Sequence, residues 1–140
     1  MGGTFDHLHQ GHKYLIQTGL SLSKKLVIGL TSDQMLKDKD YASKLESYHT
    51  RKQNLEKFIV SVSSLEKVEI VQLNDSYGPP IHEPEYEGII VSQETYNTAL
   101  KINELRKEKG FKPLIIIVIP IIKDKNNEKI SSTAIRKKLN

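Results

Sequence analysis

A chain of 140 residues is long enough for one domain with a real core and too short for two. Its 21 Lys+Arg against 17 Asp+Glu give a formal charge of +4, which suits an anionic ligand without requiring nucleic acid, and the absence of cysteine excludes disulfides, thiolate metal sites and cysteine nucleophiles. No apolar run reaches the length of a membrane span and no charged-then-apolar leader opens the chain, so a soluble, cytoplasmic protein is expected.

The chain opens on Gly2-Gly3-Thr4-Phe5-Asp6-His7-Leu8-His9-Gln10-Gly11-His12, where glycines let the backbone turn tightly and approach a ligand. A helix is predicted over 11–22, with Tyr14, Leu15, Gly19 and Leu22 along one side, followed by a Val- and Ile-rich strand over 26–30. A charged segment carrying Lys37, Lys39 and Lys44 leads to a second helix over 50–62 and a strand over 68–73. Gly78, Pro79, Pro80 and Pro84 make 74–84 a loop. A strand over 88–91, a helix over 95–109 with Thr95 as N-cap and Gly110 as its stop, and a strand over 114–119 follow. A charged loop over 124–128 and a short basic helix complete the chain. Buried-type strands alternating with helices predict a single α/β domain over 1–140, a doubly wound parallel sheet with helices on both faces. There is no internal repeat.

Two constellations carry chemistry. A helix beginning near Gly11 directs N–H groups and its positive dipole end at whatever lies in the glycine turn, an anion site. His9 and His12 are three apart, so they share a face and can reach one phosphate chain. A lone histidine is more often a surface or satisfied core residue, as expected for His49 and His82; two beside a glycine turn favour function. Zinc on Asp6, His9 and His12 is the rival reading, and the sequence offers no further ligands or orienting partners for it. At the other end, Ser131, Ser132 and Thr133 precede a helix in which Arg136 lies one turn along, where its fork could grip phosphate oxygens. Alone, Ser-Ser-Thr is simply a helix cap.

His9-Gln10-Gly11-His12 paired with the ISSTxIR element over 130–136 resembles the HxGH nucleotidyltransferase superfamily. The opening GGTFDxLHxGHK form, Asp75-Ser76-Tyr77-Gly78-Pro79 and Val91-Ser92-Gln93-Glu94-Thr95-Tyr96 most resemble the archaeal and eukaryotic phosphopantetheine adenylyltransferases. That resemblance implies a Rossmann-like fold, and transfer of the adenylyl group of ATP, with Mg2+, to 4′-phosphopantetheine, giving dephospho-coenzyme A and pyrophosphate in coenzyme A synthesis. It implies His12 on the α-phosphate, His9 on the departing phosphates, Gly3 and Thr4 orienting the α-phosphate, and Ser131, Ser132, Thr133 and Arg136 on the β- and γ-phosphates. Such sites are completed by a lysine, for which Lys37 and Lys39 are chosen over Lys44. Adenine is expected against Ser92, Gln93, Glu94 and Thr95, and the acceptor against Thr4, Phe5, Arg51, Asp75 and Tyr77, with Arg51 equally readable as structural. The metal ligands are not given. Members also carry a hydrophobic central strand immediately before GGTFD, whereas here only Met1 precedes Gly2, so the first central strand is expected to be truncated and its neighbours short of ladder partners. The alternatives are adenylyl or cytidylyl transfer to another phosphorylated acceptor, or a non-catalytic nucleotide-binding module. An RNA binder would show clustered aromatic platforms, which are missing, so neither nucleic acid nor membrane is an expected partner. Oligomeric state is not given by the sequence, and a monomer is compatible with it.

Overall fold

A computed structural model describes residues 1–37 and 44–120. Five parallel strands, β1 (Gly2–Gly3), β2 (Leu26–Thr31), β3 (Val68–Leu73), β4 (Gly88–Val91) and β5 (Ile115–Val118), alternate with helices α1 (Gln10–Leu22), α2 (Asp33–Leu36), α3 (Tyr48–Val62) and α4 (Tyr96–Glu108). The predicted strands and long helices are each found within one or two residues of their expected ends. The one-turn α2 was not foreseen, because four residues are too few to show a helical period. The charged loop 124–128 and the terminal helix lie outside the described residues.

Among the described residues the strands form two ladders, β1-β2-β3 and β4-β5. β1 is only two residues long, as the position of the glycine turn implied, and it pairs Gly2 with Gly29 and Gly3 with Leu30. Met1 prolongs that edge, accepting from Gly29 N–H at 2.8 Å and donating its ammonium to the Val27 carbonyl at 3.1 Å. β2 lies between two neighbours and reads as an uninterrupted apolar run because both its faces are covered; Ile28 and Leu30 have no exposed surface.

One hydrophobic core joins the ladders. Ile16 and Leu20 of α1, Leu55 and Ile59 of α3, Leu26, Ile28 and Leu30 of β2, Ile90 of β4, and Ile119 pack together. α1 bridges the two ladders, since a methyl group at Gly19 would stand 3.2 Å from Ile90 Cδ1 and 3.3 Å from Leu26 Cδ1. Glycine at that point is what lets the helix sit so close to the strands. No described helix is long and apolar enough to cross a membrane.

Gly110, with φ of 77°, ends α4 in the left-handed region as expected. Thr95 stands at the N-cap of α4 but makes no cap bond; its hydroxyl accepts from Ser92 N–H at 3.1 Å, closing the β4–α4 turn instead.

A second fixed point is Arg106, fully buried on α4. Its N–H groups donate to the carbonyls of Lys112, Pro80, Glu83, Pro84 and Tyr86 at 2.6–3.3 Å. The loop between β3 and β4, which has little regular structure beyond a 3₁₀ turn at Pro79–Ile81, is thus held largely by one guanidinium, with Lys109 Nζ adding a bond to the Ile81 carbonyl at 2.6 Å. Arg106→Leu should therefore lower stability by roughly 2–4 kcal/mol, because five carbonyls lose their shared, buried donor together. The measurement is the urea midpoint, expected to fall at constant slope; an unchanged midpoint would contradict this role.

Candidate active site

The site lies where the C-terminal ends of the strands open, the place at which parallel α/β sheets bind ligands. A cleft of about 1750 Å3 is lined there by Thr4, His9, His12, Thr31, Ser92 and Thr98, and it continues between the two ladders.

The glycine turn is held in a conformation that side chains resist. Phe5 and His7 both adopt left-handed φ, 49° and 46°, a cost of order 1 kcal/mol each that persists only where the surroundings enforce it. Residues 44–46 supply that enforcement. Glu46 accepts from His7 N–H at 2.7 Å, the buried Asp6 carboxylate accepts from Glu46 N–H at 2.8 Å, and the His7 ring lies 3.2 Å from the Lys44 carbonyl. Asp6 also stands 3.4 Å from His7 Nε2. Asp6 is therefore a brace of the turn, and the zinc reading that needed it loses its carboxylate. Among the described residues no group of three or more His, Asp or Glu side chains is placed to hold a metal ion.

His9 and His12 cap α1 reciprocally. His9 Nδ1 accepts from Gly11 N–H at 3.1 Å, and His12 Nδ1 accepts from His9 N–H at 3.3 Å. A backbone N–H can only donate, so both Nδ1 atoms are unprotonated and the neutral rings carry their hydrogens on Nε2. The rings stack with centroids 3.7 Å apart, and Phe5 tilts against His12 at 5.4 Å. Two imidazolium ions could not share that contact cheaply. Burial holds the His9 pKa below the ordinary histidine value, and burial followed by the neighbouring His9 pushes His12 down to about 3. Nε2 of His9 is buried and meets no hydrogen-bond partner among the described residues. A buried N–H without an acceptor is costly unless a ligand supplies one.

The other expected site residues divide. Gly3, Thr4, Ser92, Glu94, Asp75 and Tyr77 line the cleft. Asp75 shapes its own loop, its Oδ1 accepting from Tyr77 and Gly78 N–H at 2.8 Å each, and these bonds hold its pKa below the usual carboxylate range. Gln93 is exposed. The remaining two acceptor candidates are buried. Phe5 is 3% exposed and packs in the core, while its ring tilts against His12 and also lines the cleft. Arg51 has no exposed surface, and its N–H groups are given to the carbonyls of Thr4, Thr31 and Glu46 and to the Asp33 carboxylate at 2.8–3.1 Å. Its structural reading prevails because a guanidinium spent on four protein acceptors has little left for a ligand.

Lys37 stands exposed at the end of α2 near Asp33, Leu36 and Ser47, and it does not line the cleft. Lys39, Ser131, Ser132, Thr133 and Arg136 lie outside the described residues. His49 and His82 are exposed as expected, and His82 meets Lys109 Nζ at 3.1 Å. Thr31 and Thr98 line the cleft and were missed. Thr31 was findable, because it directly follows the predicted strand 26–30 at the end where ligands bind; Thr98, one turn into α4, has no such signal.

Residues 1–138 match the family described as cytidylyltransferase-like. The chain is 46% identical over 136 residues to the phosphopantetheine adenylyltransferase of Pyrococcus abyssi, covering 97% of this chain and 86% of that one. It is 44% identical to the enzyme of the same name from Methanosarcina mazei, over 98% of this chain and 88% of the relative. Against that of Saccharomyces cerevisiae it is 40% identical, over 99% of this chain and 47% of the longer yeast protein. Among solved structures, a protein of unknown function from Archaeoglobus fulgidus superposes with a TM-score of 0.75 at 33% identity, covering 86% of this chain and 95% of that chain. With the stacked histidines, the glycine turn and the parallel α/β frame already in place, these likenesses settle its kinship: the chain belongs to the phosphopantetheine adenylyltransferases of the cytidylyltransferase-like family.

Proposed function

We propose that the cleft transfers the adenylyl group of ATP to the phosphate of 4′-phosphopantetheine, releasing pyrophosphate and giving dephospho-coenzyme A. The observation that carries this reading is the pair of stacked, neutral imidazoles that cap α1, with Nε2 of His9 buried and without a hydrogen-bond partner among the described residues.

An oxygen of the acceptor phosphate attacks the α-phosphorus, a new P–O bond forms, and the bond from the α-phosphorus to the bridging oxygen breaks. Pyrophosphate departs with that electron pair. The attacking phosphate is already anionic, so no protein base is required, and the protein's work is alignment and hydrogen bonding to developing charge. His12 donates from Nε2 to an α-phosphate oxygen and His9 donates to the departing side. As neutral donors they hold oxygen atoms without giving up a proton, and they avoid placing two cations in contact. Thr4 and the Gly3 backbone orient the α-phosphate from the turn, and adenine takes the Ser92–Glu94 end of the cleft. Magnesium enters with the triphosphate as part of the substrate. Ser131, Ser132, Thr133 and Arg136, by resemblance, take the β- and γ-phosphates, and a lysine from the segment holding Lys37 and Lys39 completes the charge. The reaction is expected in the cytoplasm, with no need of membrane or nucleic acid.

The decisive assay follows pyrophosphate release from ATP or CTP with and without phosphopantetheine. Release with ATP that depends on the acceptor is expected; release with CTP alone, or ATP binding without release, would overturn the reading in favour of a cytidylyltransferase or a binding module.

His12→Ala should lose about a hundred- to a thousandfold in kcat with little change in ATP affinity, the size of one preorganised donor. His12→Asn should lose activity comparably while keeping more stability, because its side-chain oxygen can still accept from His9 N–H and preserve the cap. Equal activity in either variant and the wild type would refute the donor role.

Because the His12 pKa is lowered to about 3, the ring is already neutral well below pH 6.5 and stays so above it. From pH 7 to 9 kcat should therefore be flat. A site that needed an imidazolium of ordinary pKa would lose about tenfold per pH unit across the same range, and a profile of that shape would contradict the assignment.

A further inference from the structure

Arg51 does more than tie loops together. Its Nη1 lies 3.0 Å from the Thr4 carbonyl, 2.8 Å from the Thr31 carbonyl and 3.3 Å from the Thr31 hydroxyl. The Thr31 hydroxyl in turn lies 3.2 Å from the Thr4 hydroxyl. Guanidinium nitrogen can only donate, so Thr31 Oγ1 is the acceptor in this contact, sharing one of the two Nη1 hydrogens with the nearer carbonyls. With one lone pair engaged by a cation, the Thr31 hydroxyl becomes a stronger donor, and the acceptor it meets among the described residues is Thr4 Oγ1. Thr4 thereby accepts, and its own hydrogen is turned away from Thr31. Both threonines are half-buried and line the cleft that contains His9 and His12.

We propose that Arg51, Thr31 and Thr4 form a one-way donor chain that fixes the Thr4 hydroxyl as a hydrogen-bond donor to the phosphate bound at the glycine turn, with Arg51 and Thr31 as positioning residues. A hydroxyl oxygen has two lone pairs, so the sense of the Thr31–Thr4 bond is part of the proposal, while its inner end is fixed by Arg51. Arg51 has no acceptor atom, so the chain cannot run backwards from its buried end. The positive charge at that end strengthens each bond outward, which a water-filled contact at this position would not do. The same guanidinium holds the Thr4 and Thr31 carbonyls, so loss of the Thr31 hydroxyl leaves the two strand ends clamped together. That separation makes the chain testable without dismantling the turn. The idea rests on the proposed phosphate chemistry of the site, deepening it by naming two residues that act through Thr4.

The test is a double-mutant cycle on the whole chain: wild type, Thr31→Val, Thr4→Val and both together, with Thr31→Ser as the conservative control and urea midpoints confirming that each folds. Two readouts are taken: kcat and KM by pyrophosphate release with ATP and phosphopantetheine, and the Kd of α,β-methylene-ATP by calorimetry. Thr31→Val should lower kcat/KM about tenfold, the size of one charge-assisted hydrogen bond, and Thr31→Ser should restore it. In the Thr4→Val background Thr31→Val should have no further effect, because the hydroxyl it orients is gone. A Thr31→Val variant indistinguishable from wild type, or one that loses as much with Thr4→Val as without it, would overturn the chain. If the wild type releases no pyrophosphate, the proposed reaction fails, and the same cycle read on the analogue's Kd still decides the chain: non-additive weakening supports it and additive or absent weakening refutes it.

Discussion

Most of what this molecule can do depends on how one helix begins. The first N–H groups of any α-helix lack partners within it, and they are usually met by a short polar side chain or by water. Here the partners are imidazole nitrogens, His9 Nδ1 for Gly11 and His12 Nδ1 for His9 itself. Two results follow at once. The helix start is satisfied, and each ring is left with one defined face of chemistry, an N–H at Nε2. The constraint that builds the fold therefore also sets the protonation of the site. Burial works in the same sense, disfavouring the charged rings.

Around that helix start the two walls of the cleft are each fixed by a buried arginine. Arg51 gathers the Thr4 turn, the end of β2, the start of α2 and the Glu46 carbonyl. Arg106 gathers the β3–β4 loop that brings Asp75 and Tyr77 to the cleft. Burying a guanidinium is expensive unless nearly every N–H finds an acceptor. Both residues meet that condition with backbone carbonyls, which explains how irregular chain can be held at fixed geometry with few regular hydrogen bonds of its own. The left-handed backbone at Phe5 and His7 is tolerable for the same reason: Asp6 and Glu46 lock the turn from the far side.

The alternation of buried-type strands and helical stretches was legible in the sequence, since β-branched runs and three-four apolar spacing are local properties. So was the pairing of His9 and His12 beside the glycine turn, because residues three apart share a helix face without tertiary context. What the residues could not reveal depended on long-range contacts. Arg51 and Arg106 look like ordinary surface arginines on helices until carbonyls distant in sequence, such as those of Thr31 and Pro80, come into place. Phe5 read as part of a ligand-facing turn, and it lines the cleft, but its packing into the core was not legible. The one-turn α2 that ends at Lys37 was not legible, because a single turn has no period to detect. The shortness of the first strand was anticipated from the position of the glycine turn, but the division of the described strands into two ladders and the way α1 closes over both through Gly19 were not.

The central claim is that the histidine pair presents neutral Nε2–H donors because its Nδ1 atoms cap the helix. Long-range 1H–15N correlation spectra of the imidazole rings in the ligand-free protein at pH 7 read that state directly. The account predicts, for both His9 and His12, an unprotonated Nδ1 and a protonated Nε2. A hydrogen on Nδ1, or doubly protonated rings, would contradict it.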